Sequence, residues 1–358
     1  MTALVKNIIG AKPGPAAAEV RFLTVDEESA GQRLDNYLFR HLKGVPKTHV
    51  YRIIRSGEVR INKGRVQAET RVAAGDVLRL PPVRVAVRDE EQAAGAAAAA
   101  PAREFPLLFE DDALLALDKP AGVAVHGGSG VSFGVIEQLR RARPAARFLE
   151  LVHRLDRETS GILLVAKKRS ALTALQDQFR ERETGKTYLA LVEGDWPANR
   201  KVLDAPLAKY LLPPAAGATE PGERRVRVVA RDHPDAMRAV TLVRVLARFA
   251  LPGDAEGQSL LAVTIKTGRT HQIRVHLASA GHAIAGDDKY GNFERNRLLQ
   301  KRGLKRMFLH AWRLQFNHPA SGERVALQAD LPPELQALVP QAVRDGLGAP
   351  VSPSDSHD

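Results

Sequence analysis

A low-complexity segment near residue 100 divides the chain. The stretch DEEQAAGAAAAAPAREFP, residues 89–106, is mostly alanine, glycine and proline with polar ends. Such a composition offers few side chains to a core and is typical of interdomain linkers. The chain has 358 residues, enough for two domains. We therefore expect a flexible arm over 1–24, a small module over 25–85, a linker over 86–105, a large domain over 106–340 and a disordered tail over 341–358.

The segment before this linker has the pattern of a two-helix module. RLDNYLFRHLK places apolar side chains on one helical stripe, and PKTHVYRIIRSG begins with Pro46 and stops at Gly57. The strand-like runs EVRIN and DVLRL follow, and Asn62-Lys63-Gly64 predicts a turn after the first run. The sequence thus predicts two small helices and a few short strands.

The small module carries a one-sided positive charge. Residues 31–80 hold eleven Lys or Arg against four Asp or Glu, a net charge of +7 within +12 for the whole chain. Solvated helix faces would explain a few of these cations, but such an excess favours contacts with phosphate groups. The cations that lie mostly off the apolar stripes, and are our candidate RNA contacts, are Arg40, Lys43, Lys47, Arg52 and Arg55.

Several classes of site are excluded by the residues that are missing. The chain has no cysteine, which excludes disulfides, thiolate zinc sites and a cysteine nucleophile. No phosphate loop of the GxxxxGK[ST] type, zinc helix HExxH or GxSxG elbow occurs. His271 and His276 are five residues apart, an unsuitable spacing for a metal pair on a helix. We expect no metal and no cofactor.

The sequence has neither an apolar leader nor an 18-residue apolar run. We therefore expect a cytoplasmic protein with no membrane partner.

The larger part of the chain, from 106 onward, predicts an α+β fold. Strand-like apolar runs follow one another with few helical segments between them, which favours a mixed, mostly antiparallel sheet. The helical patterns are SFGVIEQLRRARP, RSALTALQDQFRERE and RTHQIRVHLASAG, and LLPPAAGATEPGE at 211–223 predicts a surface loop. The strand patterns are ALLALDKP, GILLVAKK, KTYLALVEG, SLLAVTIKTG, RMFLHAWRLQF and RVALQAD.

Three short polar segments, each joined to an apolar element, are candidates for chemistry. In HRLDRETSG, Asp156 lies between Arg154 and Arg157, which favour its ionised form and allow it to act as nucleophile or base. A structural ion pair is the alternative. Tyr188 in GKTYLALVEG could pack in a core or stack on a base. Arg274 in VTIKTGRTHQIRVHL could pair with a carboxylate or lie on the surface.

These segments, in this order, resemble the three motifs of the RluA/RluC/RluD-type RNA pseudouridine synthases. LDKPAGVAVHGGSGVSFGVIEQLR is similar to the entry segment of that family, and the small module resembles the RNA-binding module first known from ribosomal protein S-four. The resemblance covers roughly residues 25–335. It is closest to the RluC branch in LKGVPKTHVYRIIRSGEVRINKGR, HGGSGVSFGVIE and GHAIAGDDKYG.

The resemblance implies a role for each motif residue. Asp156 would be the catalytic aspartate that helps detach uracil from its ribose, whether as nucleophile or as base. Arg154 would hold the target nucleotide out of its stack, Tyr188 would pack on the flipped uracil, and Arg274 would keep Asp156 ionised. The reaction breaks the N-glycosidic bond, rotates the base and joins C5 to C1′ without redox partner, metal or cofactor. Further RNA contacts are expected at Arg157, Arg269 and His271.

The resemblance also implies a substrate. The RluC branch modifies uridines of 23S ribosomal RNA, which is the expected partner of a monomeric enzyme. The same chemistry on another ribosomal RNA helix, as in RluD-like enzymes, or on transfer RNA is one alternative. A non-catalytic RNA-binding factor for ribosome assembly is the other.

Overall fold

The computed structural model describes residues 19–42, 45–83, 100–127, 133–212, 223–251 and 257–348. The chain divides into two compact units, Met1–Ala99 and Ala100–Asp358. In the part that the structure describes, no helix is both long and apolar enough to cross a membrane.

The first unit is a small α+β module. Its two helices are α1 (Leu34–His41) and α2 (Lys47–Arg55). Its antiparallel sheet has the order β1-β4-β2-β3. These strands are β1 (Arg21–Thr24), β2 (Arg60–Ile61), β3 (Gly64–Arg65) and β4 (Val77–Leu80). The two helices and short strands confirm the predicted composition of this module.

The apolar stripes of the two helices pack against the sheet, where Leu34, Ile53 and Leu78 are fully or almost fully buried. At the predicted turn, Asn62 and Lys63 have φ angles of 47° and 70°. Two successive positive φ angles suit the tight turn between paired strands, and this turn brings β3 back beside β2.

The second unit contains twelve strands and six helices within its described ranges. The first half comprises β5 (Leu107–Glu110), β6 (Leu114–Lys119), α3 (Val135–Ala142), β7 (Glu150–Leu151), β8 (Ser160–Ala166), α4 (Arg169–Glu181), β9 (Gly185–Glu193), β10 (Val202–Asp204) and β11 (Leu207–Leu211). The second half comprises β12 (Arg224–Val228), β13 (Val240–Phe249), β14 (Gln258–Ile265), α5 (Gln272–Ser279), α6 (Phe293–Lys301), β15 (Leu309–Asn317), β16 (Arg324–Gln328), α7 (Pro333–Gln336) and α8 (Gln341–Leu347).

A ten-stranded sheet forms the frame of this unit. Its order is β10-β13-β14-β9-β15-β8-β6-β5, with β16 paired to β15 and β7 paired to β8. The β15–β8 pair is parallel and the other pairs are antiparallel. The prediction of a mixed, mostly antiparallel sheet is confirmed. Strands β11 and β12 form a separate antiparallel hairpin.

Helices cover both faces of the large sheet. On one face, α3 packs on Leu117 of β6 and α5 packs on Val263 of β14. On the opposite face, α4 packs on Leu114 of β6, while α6 and α7 contribute to the cluster around Leu191 of β9. Because side chains alternate between the two faces of a strand, nearly continuous apolar runs such as LLAL supply both cores.

Some short elements differ from the predictions. β1 lies inside the range 1–24, expected to be a flexible arm, and α8 lies inside the range 341–358, expected to be disordered. Phe105, the last residue of the predicted linker, is buried in the core of the large unit. These segments are ordered by partners far along the chain, since β1 pairs with β4 and the side chain of Val343 on α8 packs on the cluster around Leu191. Most of the predicted 211–223 loop lies outside the described residues.

Candidate active site

The three polar segments come together at one cavity of about 110 Å³. It lies on the face of the large sheet that α5 covers, beyond the ends of β8, β14 and β15. Asp156, Tyr188 and Arg274 all line it, although they are up to 118 residues apart. Other lining residues are Arg154, Leu155, Thr159, Ile265, Gly268, Arg269, Thr270, His271, Gln272, Ile273 and Leu309.

Asp156 lies in the loop between β7 and β8, and that loop is anchored on both sides. Thr159 donates its backbone N–H to the carbonyl of Asp156 at 3.1 Å. Before the aspartate, Nε2 of His153 accepts the backbone N–H of Leu164 at 3.1 Å, and the ring stacks on Phe179. Burial, with a smaller contribution from the charge of the nearby Lys186, lowers the pKa of His153 to about 3. His153 is therefore a neutral structural anchor that holds the loop on β8.

A buried lysine ties the same loop to the preceding part of the chain. Nζ of Lys119, at the end of β6, donates to the carbonyls of Pro120 at 2.7 Å, Val123 at 2.8 Å and Arg157 at 3.1 Å. All three ammonium protons thus have an acceptor. Burial lowers the pKa of Lys119 to about 7. Lys119 was not among the predicted site residues, and its position directly before Pro120 at a strand end is the signal that the sequence offers.

Arg274 contacts three carboxylates, those of Asp156, Asp287 and the exposed Asp288, and the nearest of them, Asp287, was not predicted. Its Nη1 lies 3.5 Å from Oδ2 of Asp156, the expected partner. Its Nε and Nη2 donate to the two carboxylate oxygens of Asp287, both at 2.7 Å. Burial lowers the pKa of Arg274, but the hydrogen bonds and charge of Asp287 raise it above its usual range. The guanidinium is thus held in plane by Asp287 and offers its remaining edge to Asp156.

Asp287 itself is fully buried, with its side chain 0% exposed. Burial raises its pKa, yet the hydrogen bonds from Arg274 hold that pKa below its usual value. Its Oδ1 also accepts the backbone N–H groups of Lys289 and Tyr290. The sequence signal for Asp287 is the segment GDDKYG, which belongs to the family resemblance but carried no predicted role for its aspartates.

His271 forms a second connection to Asp156. It has the left-handed φ of 52°, so α5 begins at Gln272 and not at Arg269, the first residue of the predicted helical pattern RTHQIRVHLASAG. Its Nε2 lies 3.9 Å from Oδ2 of Asp156, and its Nδ1 lies 2.8 Å from the hydroxyl of Tyr290. Burial lowers the pKa of the ring, against the opposing charge of Asp156. His271 was a predicted RNA contact, and the structure places it beside the carboxylate.

Tyr188 is held in the middle of the sheet. Its backbone lies opposite Val263 of β14 and Ala311 of β15. Burial and the negative charge of Asp156 raise the pKa of the phenol, which is therefore protonated at neutral pH. With Ile265 and Leu309, the ring gives the cavity an apolar wall suited to the face of a planar base.

The predicted arginines around Asp156 differ in whether they line the cavity and in the partners that they contact. Arg154 is exposed, lines the cavity and makes no ion pair with any described residue. Arg157 does not line the cavity, and its Nε donates to Glu158 at 2.8 Å. Arg269 lines the cavity, and its Nε donates to the carbonyl of Arg238. Among the described residues, Arg154 and Arg269 thus both line the cavity without a carboxylate partner, so their charges are available to a ligand at this opening.

Four of the five predicted RNA contacts of the first unit are described. Arg40, Lys47, Arg52 and Arg55 are exposed. None of the four pairs with a carboxylate among the described residues, and Nζ of Lys47 lies 5.4 Å from the ring centre of Phe39. These charges are left available to an anionic partner. The fifth, Lys43, lies outside the described residues.

Metal-binding groups do not cluster in the described ranges: no three His, Cys, Asp or Glu side chains there are placed to hold an ion. His276 turns away from His271, with its two ring nitrogens 2.9 Å from Oγ1 of Thr241 and 2.9 Å from the carbonyl of Ala205. Both nitrogens are engaged in structural hydrogen bonds.

Two regions of the chain match protein-family models. Residues 113–279 match the family described as RNA pseudouridylate synthase, and residues 32–78 match the S4 domain. The first match includes Asp156, Tyr188 and Arg274, and the second includes both helices of the small unit.

Curated relatives match nearly the whole chain. A protein of Pasteurella multocida named ribosomal large subunit pseudouridine synthase C is 50% identical over 320 residues, 89% of this chain and 93% of the relative. The proteins of that name from Yersinia pestis and Escherichia coli K12 are also 50% identical, over 88% and 87% of this chain and 94% and 93% of the relatives.

Solved structures match about two thirds of the chain. Human RNA pseudouridylate synthase domain containing 4 aligns with a TM-score of 0.50 at 27% identity, over 69% of this chain and 95% of the human chain. Human RNA pseudouridylate synthase domain containing 1 aligns with a TM-score of 0.50 at 26% identity, over 69% of this chain and 96% of the human chain.

Proposed function

The chain belongs to the RNA pseudouridylate synthase family, whose members isomerise uridine to pseudouridine, and we propose that its substrate is 23S ribosomal RNA and its catalytic carboxylate Asp156. The observation that carries the assignment of the site is the convergence of Asp156, Tyr188 and Arg274 on one cavity, with Arg274 3.5 Å from Asp156. The substrate is supported by the names of relatives 50% identical to the chain.

We propose that Asp156 acts on the sugar of the target nucleotide. An ionised carboxylate at this position can attack C1′, forming an ester with the sugar, or remove a ribose proton, and either step breaks the bond between C1′ and N1 and releases uracil from the ribose. The free base then rotates and C5 bonds to C1′, which breaks the ester to Asp156 or, on the other route, accompanies return of the proton to the ribose. C5 then loses its proton and N1 gains one, so the nucleotide keeps its composition. Arg274 stabilises the ionised aspartate, which is a role of preorganised charge and not of proton transfer.

Tyr188 and Arg154 are proposed to handle the base. A stacked uridine cannot present C1′ and C5 to Asp156, so the nucleotide must leave its stack at a cost of a few kcal/mol. Arg154, exposed at the cavity, would bind the RNA and hold the nucleotide out. The apolar wall at Tyr188 would receive the base, and the protonated phenol would offer it a hydrogen bond.

The RNA contacts are proposed to extend over both units. Arg40, Lys43, Lys47, Arg52 and Arg55 of the S4 domain would bind phosphates, as Arg157, Arg269 and His271 would near the cavity. We propose that the protein acts as a monomer. The proposed compartment is the cytoplasm, where the proposed ribosomal RNA substrate is assembled.

The variant Asp156→Asn tests the chemistry. It keeps the size and polarity of the side chain but cannot act as nucleophile or base. We expect pseudouridine formation to fall by about 10³-fold or more while RNA affinity stays within about twofold. Turnover at the wild-type rate would refute the assignment of Asp156, and wild-type protein without turnover would favour a non-catalytic assembly factor.

Mapping of pseudouridine in cells tests the substrate. Ribosomal and transfer RNA from cells lacking the gene are compared with RNA from the parent and from cells expressing Asp156→Asn. We expect the same uridines of 23S RNA to remain unmodified in the deletion and in the variant. Sites lost only from transfer RNA would overturn the substrate proposal and leave the chemistry in place.

A further inference from the structure

The large sheet carries a second, much larger concavity on the face away from Asp156. This concavity, here called the rear groove, has a volume of about 1290 Å³. It is lined by β13 and by the adjoining parts of β14, β9 and β15, together with residues 196–202. Helices α6 and α7 contribute to the core on this face around Leu191, and the rear groove occupies another part of the same face.

Alternation along the strands places the rear groove opposite the candidate active site. On β9, Tyr188 lines the Asp156 cavity and Thr187 lines the rear groove. On β14, Ile265 lines the cavity and Thr264 lines the groove. Successive side chains of a strand point to opposite faces, so the two concavities are separated by the thickness of the sheet.

The rear groove is strongly and one-sidedly basic. None of the described residues that line it is an aspartate or glutamate. A concave surface of one charge sign with low-dielectric walls concentrates the electrostatic field and attracts a ligand of opposite sign. The six cations of the lining are Arg200, Lys201, Arg244, Arg248, Lys266 and Arg313.

Four of these charges are not neutralised by carboxylates of the described residues. Lys201 and Arg244 are exposed, and their side chains make no hydrogen bond or ion pair with any described residue. Arg200 and Arg248 donate to the carbonyls of Ala280 and Trp196, both at 2.8 Å. A carbonyl orients a guanidinium without removing its charge. Elsewhere in the unit, cations such as Arg143 are paired with carboxylates.

We propose that the rear groove binds a second segment of the RNA substrate through its phosphates, so that the RNA passes around the edge of the sheet. This inference rests on the proposed function, because it requires a long RNA substrate. The partner must be an extended polyanion, since the cations are spread along the groove and do not converge on one point. The contacts would be independent of base sequence, because these cations would meet phosphates and the two tryptophans among the described lining residues, Trp196 and Trp312, are buried.

A continuous path joins the two faces. Lys266 follows the last residue of β14 and lines the rear groove, while Gly268 and Arg269, two and three residues later, line the Asp156 cavity. An RNA strand leaving the cavity along this loop therefore meets the basic groove next. A minimal stem–loop that fills only the cavity would not extend to the opposite face, whereas full-length ribosomal RNA would.

The double variant Lys201→Gln, Arg244→Gln tests the proposal. Neither side chain has a structural partner among the described residues, so folding should be retained. We expect the Kd for full-length 23S RNA to rise about tenfold near 0.1 M salt, and the slope of log K against log salt to shrink by about 1.5. With a minimal stem–loop of about 20 nucleotides, Kd and kcat should stay at wild-type values.

A matched control removes the same charge elsewhere. Lys168→Gln, Lys301→Gln also lowers the net charge by two at exposed positions that line neither concavity. This control should keep the wild-type salt slope. If both double variants change the slope equally, or if the groove variant leaves it unchanged on long RNA, the proposal is overturned. In either case, turnover of the stem–loop by wild-type protein would show that the proposed function stands.

Discussion

Arg274 illustrates how one side chain joins the chemistry to the fold. It is 4% exposed and lies between the partly exposed Asp156 and the fully buried Asp287. A guanidinium can serve two carboxylates because its donors form a rigid planar fork. The bidentate pair with Asp287 fixes the plane, and Nη1 is then directed at Asp156. We regard Asp287 as a positioning residue, which acts on Asp156 through Arg274.

The variant Asp287→Asn should therefore damage both stability and catalysis. Removing one partner of a buried pair leaves a charge uncompensated and costs about 3–5 kcal/mol. We expect the free energy of unfolding in urea to fall by that amount, with kcat reduced more than KM is raised. Asp288→Asn is the control, because Asp288 is 73% exposed and lies 3.4 Å from Nη2 of Arg274. Equal effects of the two variants would contradict the positioning role.

His153 predicts a pH dependence of stability. Its folded-state pKa is lowered by burial from 6.5 to about 3, so between these values the unfolded chain binds a proton that the folded chain does not. Stability must then fall as the pH falls through this window, by up to about 1.4 kcal/mol per pH unit. His153→Gln can still accept the N–H of Leu164 but does not titrate, so it should lose this dependence.

The measurement is the difference in unfolding free energy between wild type and His153→Gln from pH 3.5 to pH 8.5. Above pH 7.5 the histidine is neutral in both states, so the two curves should run parallel. Parallel curves at pH 4 to 6 as well would show that His153 is protonated in the folded protein.

At the scale of the element, the parallel contact between β8 and β15 depends on a glycine. Gly161 follows Ser160 at the start of β8 with a φ of +104°, and a Cβ there would lie 2.3 Å from the carbonyl oxygen of Ala311. The close approach allows Ser160 and Gly161 to pair with His310 and Ala311. The strand that follows the Asp156 loop is thereby held at the centre of the sheet.

Gly161→Ala should destabilise the protein by about 2 kcal/mol or more, because it combines an unfavourable φ with a backbone clash. Gly303→Ala is the matched control, since Gly303 has a φ of +100° with open space around its Cα. The difference between the two variants in thermal unfolding isolates the clash. A difference near zero would mean that β15 can move away from β8 without loss.

At the scale of the whole molecule, positive charge is distributed over two units with different tasks. The first unit presents exposed cations of α1 and α2, and the second combines the Asp156 cavity with the rear groove. Affinity for a polyanion grows with the number of phosphates neutralised, whereas isomerisation needs only the cavity. Binding and chemistry should therefore be separable.

Deletion of residues 1–85 should show this separation. We expect weaker binding of ribosomal RNA and a salt slope smaller by about 3 to 5, since the five candidate cations of the module are removed. Turnover at saturating RNA should be retained. Filter binding over a range of salt concentrations measures the slope, and an unchanged slope would mean that the module makes no phosphate contacts.

Much of the fold followed from local patterns. Apolar runs with a period of two or 3.6 predicted the α+β class, the helices α1 to α4 and most central strands, because burial acts on side chains a few residues apart. The strand β13 and the helix α6 had no predicted counterpart. The short elements β1 and α8 were also missed. Each is stabilised by a distant partner, β4 in one case and the cluster around Leu191 in the other.

The candidate active site likewise contains residues that the sequence identified and contacts that only the tertiary structure revealed. Asp156, Tyr188 and Arg274 could be identified from the sequence, because each lies in a short polar motif next to, or within, an apolar strand or helix. The order of residues does not give the distances between them, so three contacts were known only from the tertiary structure. These are the bidentate pairing of Arg274 with Asp287, the anchoring of the loop by Lys119 and the position of His271 beside Asp156. A side chain's partner depends on which strand ends meet in space, and that is decided by the packing of the whole sheet.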